Sequence, residues 1–245
     1  MPRLLQALAL VSGLFLAACS QTDPTAGYND PLESANRGVH AFNKGLDTAI
    51  VRPASKAYGT VLPKPVRQGV SNIASNLGEP SNVINNVMQG RLANAAHNTV
   101  RFVANSTIGL AGTFDVATAI GLEERDTDFG ETLHVWGAQE GAYLELPLLG
   151  PSTSRDAVGT AVDFVLNPVE TMFHDDVRKV QTATNIGSRL GDRNDFSNTV
   201  DSILYDSEDS YAQTRLTYLQ NRRFKLGGSE AEVPYIDPYE DPYGQ

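Results

Sequence analysis

The chain has 245 residues, of which 41% are hydrophobic and 8% aromatic, so it is long enough to bury a substantial core. Its 19 basic and 29 acidic residues give a net charge of −10, which argues against sequence-independent nucleic-acid binding because phosphates attract a basic surface. The absence of any run of about 18 apolar residues excludes a polytopic membrane protein, and a single cysteine excludes an internal disulfide framework or a cysteine-based zinc site.

The amino-terminal residues are typical of a secretion signal. A basic start is followed by a mostly apolar stretch over residues 4–16, too short to span a bilayer stably, which predicts a signal peptide at residues 1–18. Leu16-Ala17-Ala18-Cys19 resembles the lipobox of bacterial lipoproteins, which implies that Cys19 starts the mature chain and carries a diacylglycerol and an acyl chain. The alternative is an ordinary signal peptide that ends in a cysteine by chance. Ser20, in place of an aspartate, favours sorting to the outer membrane.

The first folded elements follow a short polar tether at residues 19–29. Asp30-Pro31 predicts the start of a helix whose apolar face includes Phe42 and Leu46, and Arg52-Pro53 predicts that this helix ends or bends near Val51.

Prolines and glycines divide the next part of the chain. Leu62-Pro63-Lys64-Pro65 precedes an amphipathic helical pattern, which Gly78-Glu79-Pro80-Ser81 is expected to interrupt. A short helix then closes at Gly90, where glycine suits a left-handed cap, and another helix runs from Leu92 to about Ser106.

The segment from Gly109 to Gly121 is small and apolar. It is too rich in glycine for a good isolated helix and too apolar for a solvated loop, so other atoms must cover it. Periodicity alone favours an ordinary buried core for this segment. Apolar residues then cluster around Pro147, and the last third of the chain is again helical.

Residues 227–245 contain five acids, no bases and two Asp-Pro-Tyr triplets, which predicts a disordered acidic tail. Helical periods dominate throughout, so the predicted class is mostly α.

The sequence offers no constellation of catalytic or metal-binding residues. Its four histidines show no metal-ligating spacing, and no Gly-x-Ser-x-Gly motif supports a hydrolase. Asp126 and Asp128 stand in charged surroundings that would not raise the pKa of either carboxyl as acid catalysis requires. We therefore predict that the protein is not an enzyme and binds no metal.

A set of short motifs resembles the MlaA (VacJ) family of outer-membrane lipoproteins. Each motif is weak alone, but their order and spacing over roughly residues 30–225 make the resemblance specific. The sequence departs from the family pattern at Ala142 and around Phe42-Asn43. The matching motifs are Asp30-Pro31-Leu32-Glu33, Asn36-Arg37, Arg52-Pro53, Ser75-Asn76-Leu77-Gly78-Glu79-Pro80, Gln89-Gly90, Arg101-Phe102, Asn105-Ser106-Thr107, Phe129-Gly130, Leu146-Pro147 and Arg155-Asp156.

The resemblance implies a ring-like single domain of short amphipathic helices at residues 30–226, with a glycine- and proline-rich apolar hairpin region. Such a ring would lie in the inner leaflet of the outer membrane, on its periplasmic face, around an amphipathic channel. It would take misplaced phospholipid from the outer leaflet beside a trimeric porin and pass it to a soluble periplasmic carrier similar to MlaC. The resemblance also favours a membrane- or channel-facing role for the segment from Gly109 to Gly121. The residues expected to face lipid or channel are Phe42, Asn43, Leu110, Phe114 and Ile120.

Two other functions remain open from the sequence. A structural adaptor of porins would share the lipid anchor and bind no phospholipid. A lipoprotein hydrolase would need a nucleophile and a base brought together from distant segments of the chain, which sequence spacing cannot reveal.

Overall fold

The computed structural model describes residues 28–169 and 174–227, and these confirm the predicted mostly α class. The predicted signal peptide, Cys19 and the acidic tail after Gly227 lie outside the described residues. The helices are α1 (Glu33–Leu46), α2 (Arg52–Val61), α3 (Lys64–Met88), α4 (Leu92–Thr107), α5 (Val116–Ala119), α6 (Phe129–Val135), α7 (Ser154–Val165), α8 (Asp175–Asp195), α9 (Ser197–Asp201) and α10 (Ser210–Lys225). Two π-helical turns cover Asp47–Val51 and Ser202–Asp206.

The described chain divides into two compact units. The first unit contains residues 28–45, 139–158 and 199–227, and the second contains residues 46–138, 159–169 and 174–198. In the second unit, α3 packs along α4 and also contacts α8. In the first unit, the strands β1 (Tyr143–Leu146) and β2 (Gly150–Thr153) pair antiparallel, with Tyr143 opposite Thr153 and Leu146 opposite Gly150.

The helix predicted to end or bend near Val51 does not end there. A π-helical turn follows α1 directly, its last N–H coming from Arg52 to the Asp47 carbonyl oxygen, and α2 continues to Val61 with Pro53 in its first turn. Proline is tolerated in a first turn because the missing N–H has no partner there. Arg193 secures this turn by donating from Nε and Nη2 to the two carboxylate oxygens of Asp47, at 2.9 and 2.8 Å.

The predicted interruption at residues 78–81 is wrong. α3 runs through Pro80 without a break, although an interior proline costs a helix about 3 kcal/mol. The residues on both sides of the proline are buried, including Asn76, Glu79 and Asn82, and they make hydrogen bonds to α4 and to the loops that follow it. These tertiary contacts on both halves offset the local cost.

The other boundaries agree with the sequence. α2 ends at Val61 and α3 begins at Lys64 with Pro63 as its N-cap and Pro65 in its first turn. Gly90 has a φ of 73° after α3, the left-handed conformation predicted for it. α4 spans the range predicted from Leu92, ending at Thr107.

The first unit has a small aromatic core. Tyr143, Tyr211 and Leu219 are buried together, and Tyr28 and Tyr218 pack against them. The rings of Tyr143 and Tyr211 meet edge to face with centroids 5.9 Å apart. This core holds the hairpin against α10, because Tyr143 lies on β1 and Tyr211 and Leu219 lie on α10.

Candidate functional site

The second unit buries polar side chains and exposes apolar ones, as α4 shows. Ala95, Asn98, Arg101 and Asn105 are buried at spacings of three and four residues, so they share one face of the helix. The exposed large side chains of α4 and its end are Leu92, Val100, Val103 and Ile108. A soluble helix normally has the opposite distribution, with its apolar stripe facing the core.

α3 repeats this inverted pattern. Its buried positions are mostly amides and an acid, while its exposed large side chains are aliphatic. The buried polar residues of α3 are Asn76, Glu79, Asn82, Asn85 and Asn86, and the exposed aliphatic residues are Val66, Ile84 and Val87.

Hydrogen bonds connect the buried amides, although the side-chain oxygens of Asn76, Gln89 and Asn98 accept none from the described residues. The fully buried Thr132 hydroxyl donates to Asn85 Oδ1 at 2.9 Å, and Gln89 donates to Thr132 Oγ1 at 3.0 Å and to Thr127 Oγ1 at 2.7 Å. Asn85 also donates to the Asp163 carboxylate at 3.1 Å. Buried polar groups are stable only when they are paired in this way, so a hydrogen-bonded amide network takes the place of an aliphatic core.

Arg101 is the centre of the charged part of this interior. Its side chain is 2% exposed, and its Nε donates to Glu79 Oε1 at 2.8 Å. Its Nη1 donates to the Thr118 hydroxyl at 3.0 Å and to the Leu122 carbonyl oxygen, and its Nη2 lies 3.3 Å from the Asp115 carboxylate. Arg101 therefore ties α3 to the loop that follows α4.

Burial, hydrogen bonds and charge together shift the pKa values of the two acids that contact Arg101. Burial raises the pKa of the Glu79 carboxyl, and this outweighs the hydrogen bond and charge of Arg101, which lower it. Burial would also raise the pKa of Asp115, but hydrogen bonds from Thr118 and Asn105 and the charge of Arg101 hold it below the usual value. Asp115 is thus the more firmly ionised partner of Arg101.

The segment from Gly109 to Gly121 forms tight turns and the single-turn helix α5. A Cβ at Gly109 would lie 2.2 Å from the Phe114 carbonyl oxygen, and one at Gly112, where φ is 88°, would lie 2.7 Å from the Asn76 side chain. Only glycine fits such close approaches. The segment is therefore built on the buried amides of α3 and α4.

The predicted apolar site residues of this segment point away from that interior. Leu110, Phe114 and Ile120 are 66%, 56% and 71% exposed. An ordinary buried core, which periodicity alone favours, does not describe these three side chains. Their contact with lipid or a channel stays a prediction.

The other two predicted site residues lie in the first unit. Phe42 is exposed on α1. Asn43 instead binds the hairpin, because its amide donates to the Leu146 carbonyl oxygen at 2.9 Å and accepts from the Leu148 N–H at 2.9 Å. A lipid- or channel-facing role for both residues stays a prediction.

The predicted site residues do not include those of the buried polar interior. Residues 76, 79, 82 and 86 of α3, and 98, 101 and 105 of α4, form polar stripes at helical spacing that are as regular as the aliphatic ones. Periodicity alone assigns the aliphatic stripes, and not these polar ones, to the core.

Two further observations concern membrane-spanning helices and metal sites among the described residues. None of their helices is both long and apolar enough to cross a membrane. Residues 28–169 and 174–227 also contain no cluster of three or more histidine, cysteine, aspartate or glutamate side chains that could hold a metal ion.

Comparisons with known proteins place the chain in a family. The family model for the MlaA lipoprotein matches residues 28–225. An intermembrane phospholipid transport system lipoprotein MlaA from Escherichia coli (strain K12) is 32% identical over 245 residues, covering 98% of this chain and 94% of the relative. The protein of the same name from Haemophilus influenzae is 32% identical, covering 89% of this chain and 88% of the relative.

A solved structure agrees with these relatives. It was described as the structural basis for maintenance of bacterial outer membrane lipid asymmetry, and its chain superposes with a TM-score of 0.68 at 30% sequence identity. The match covers 81% of this chain and 99% of that one. With a family match over most of the sequence and relatives that align over nearly their whole length, this chain belongs to the MlaA lipoprotein family.

Proposed function

We propose that this protein is an outer-membrane lipoprotein that removes misplaced phospholipid from the outer leaflet and passes it to a soluble carrier in the periplasm. The relatives named for intermembrane phospholipid transport support phospholipid transport as the function. The observation that carries the proposal is the inverted second unit, with amides and ions inside and aliphatic side chains outside.

The aliphatic exterior suits contact with acyl chains. Exposed Val100, Val103 and Ile108 on one face of α4 would each gain free energy on leaving water, at about 25 cal/mol per Å² of apolar surface. A bilayer supplies such an environment. Helices of mixed polarity lie along a membrane surface with the apolar face among the acyl chains, so we place the second unit within one leaflet.

The lipid anchor would bring this surface to the membrane. A single acyl chain gives only marginal binding, whereas the diacylglycerol and acyl chain proposed for Cys19 together hold a protein firmly. The acidic chain would be repelled by anionic headgroups, so the remaining membrane contact must be apolar. The exposed Leu110, Phe114 and Ile120 meet this requirement.

The proposed partners are a trimeric porin and a soluble periplasmic carrier. A porin would give the protein a fixed place in the outer membrane, and a carrier would move phospholipid through water between the two membranes. The support for a carrier is that the relatives are named as parts of an intermembrane transport system.

The test is complementation of a strain that lacks this protein. We expect the wild-type gene to lower outer-leaflet phospholipid, and a variant with Val100→Asp and Val103→Asp to fail although it is folded and present in the outer membrane. Thr217→Asp, a charge at an exposed position of α10, is the matched control and should complement. Equal complementation by both variants would contradict contact between α4 and lipid.

A further inference from the structure

Three polar side chains that are distant in the sequence meet in the first unit. The Nε2 atom of His40 lies 3.1 Å from the Ser210 hydroxyl oxygen, and its Nδ1 atom lies 3.5 Å from Glu145 Oε1. His40 comes from α1, Glu145 from β1 and Ser210 from α10. A hydroxyl, an imidazole and a carboxylate in this order are the arrangement that activates a serine nucleophile.

The carboxylate at the end of this series is buried and oriented. Glu145 is 5% exposed, and its second oxygen, Oε2, accepts a hydrogen bond from the Tyr143 hydroxyl at 2.5 Å. The backbone N–H of Glu145 donates to Asn36 Oδ1 at 3.0 Å, which fixes the strand at this residue. Oε1 lies 3.5 Å from His40 Nδ1 and also accepts a hydrogen bond from the Asn43 amide at 3.4 Å, so Asn43 helps to hold the carboxylate beside the imidazole.

The imidazole is held as well. His40 is 5% exposed and meets the Tyr211 ring edge to face, with centroids 5.7 Å apart. With the proton on Nδ1 directed at Glu145, Nε2 accepts from the Ser210 hydroxyl. This is the tautomer that a general base requires.

One cation lies beside the serine hydroxyl, although Asp209, the residue before Ser210, caps the same helix with its carboxylate. Lys44 Nζ lies 3.5 Å from Ser210 Oγ, one helical turn from His40 on the same face of α1. Ser210 is also the first residue of the 16-residue helix α10, whose N-terminal end carries partial positive charge. Negative charge that develops on an oxygen beside Ser210 would be stabilised there.

We propose that Ser210, His40 and Glu145 form a catalytic triad that hydrolyses carboxylic esters, an activity separate from phospholipid transport. Ser210 is only partly buried, so its hydroxyl is open to a substrate, whereas the two groups behind it are shielded from water. Ser210 and His40 are the catalytic residues, and Glu145 is the positioning residue.

The reaction consumes one water per ester. Ser210 Oγ bonds to the ester carbonyl carbon while its proton moves to His40 Nε2, and Lys44 stabilises the oxyanion. The bond to the alcohol oxygen then breaks, and the alcohol leaves with the proton from His40. A water molecule gives a proton to His40 and attacks the acyl-serine, releasing the carboxylic acid and restoring the Ser210 hydroxyl.

The experiment uses the full-length lipoprotein purified in mild detergent. A fluorophosphonate probe is added to the wild type, the labelled residue is mapped by mass spectrometry, and hydrolysis of p-nitrophenyl butyrate is measured. We expect the label on Ser210 and a loss of activity of about 100-fold or more in Ser210→Ala and His40→Gln. Glu145→Gln should lower kcat with little change in KM.

Ser202→Ala is the matched control, since Ser202 is an exposed serine in the same unit whose hydroxyl donates to the Thr199 carbonyl oxygen. It should keep full activity. A wild-type protein that leaves Ser210 unlabelled, or hydrolysis equal in wild type and a folded Ser210→Ala variant, would overturn the triad. Labelling of the wild type needs no variant, so a misfolded variant does not obscure the result.

Complementation by Ser210→Ala should be normal, which separates this activity from transport.

Discussion

The two units differ in the apolar side chains that they bury. The first unit buries Tyr143, Tyr211 and Leu219 in an aromatic core, beside polar side chains such as His40 and Glu145. The second unit buries amides around Arg101 and exposes aliphatic side chains such as Val103. The proposed function accounts for this difference, because a protein surrounded by acyl chains needs its hydrogen bonds paired inside and its aliphatic side chains outside.

The largest expected effect comes from removing the central charge of the second unit. Arg101→Met leaves Glu79 buried without its cation, which should cost about 3–5 kcal/mol of unfolding free energy. Calorimetric melting in detergent measures it. Combining Arg101→Met with Glu79→Met should recover only part of the loss, because the buried charge of Glu79 is gone while Asp115 still lacks its cation. A single variant as stable as the wild type would show that the ion pair does not support the interior.

A core substitution in the first unit should have the next largest effect. Leu219→Ala removes a buried side chain from the aromatic cluster and should cost about 2–4 kcal/mol. The matched substitution in the second unit is Leu92→Ala on α4, where the side chain is exposed and the loss in detergent should be small. If both substitutions cost the same, the contrast between the two units would be wrong.

Protonation of Asp156 in the first unit and of Glu79 in the second should change stability in opposite directions. Burial would raise the pKa of Asp156, but Arg222 and Arg155 hold it below its usual value of 3.8. Its contribution to stability is thus present above about pH 4 and is lost as the pH falls through the folded-state pKa. The raised pKa of Glu79 has the opposite sign, because folding then favours the protonated acid and stability declines as the pH rises above 4.5.

The melting temperature, measured between pH 3 and pH 7, tests these two predicted pH dependences of stability. Asp156→Asn should remove part of the stability that is lost on acidification, because the lowered pKa of Asp156 no longer contributes to it. Glu79→Gln should instead remove part of the decline above pH 4.5. Parallel changes in the two variants would contradict the contrast.

The smallest expected change in stability comes from a substitution on the aliphatic exterior of the second unit. Val103→Asp should change the unfolding free energy in detergent by about 0.5 kcal/mol or less, since the side chain is exposed. The same variant should bind more weakly to vesicles in a form without the lipid anchor. Thr217→Asp in the first unit should change neither property, and a strong destabilisation by Val103→Asp would mean that this side chain packs inside the protein.

Much of the fold follows from local sequence. Pro63, Pro65 and Gly90 mark real helix boundaries because their backbone limits act within one turn. Pro53 lies in the first turn of α2, directly after the π-helical turn. Pro80 marks no boundary, since amide and ion-pair contacts with distant segments hold α3 together there. The strands were missed because each has four residues and depends on α1 side chains such as Asn43 for its hydrogen bonds.

The site was only partly predictable for the same reason. Periodicity located two faces on each helix but not which face is buried, because that depends on the surrounding solvent. The family resemblance indicated a membrane environment and so favoured the exposed positions Leu110, Phe114 and Ile120. The meeting of His40, Glu145 and Ser210 depends on tertiary structure, and no spacing in the sequence reveals it.

The single tryptophan of the chain tests the inverted unit most directly. Trp136 is exposed at the end of α6, where its indole N–H donates to the Met88 carbonyl oxygen. In vesicles that hold the full lipoprotein, we predict that lipids brominated on the acyl chain quench its fluorescence and that aqueous iodide does not. A variant with Trp136→Phe and Thr217→Trp, which moves the tryptophan to the first unit, should respond more strongly to iodide. Quenching of Trp136 by iodide and not by brominated lipid would contradict an apolar environment around the second unit.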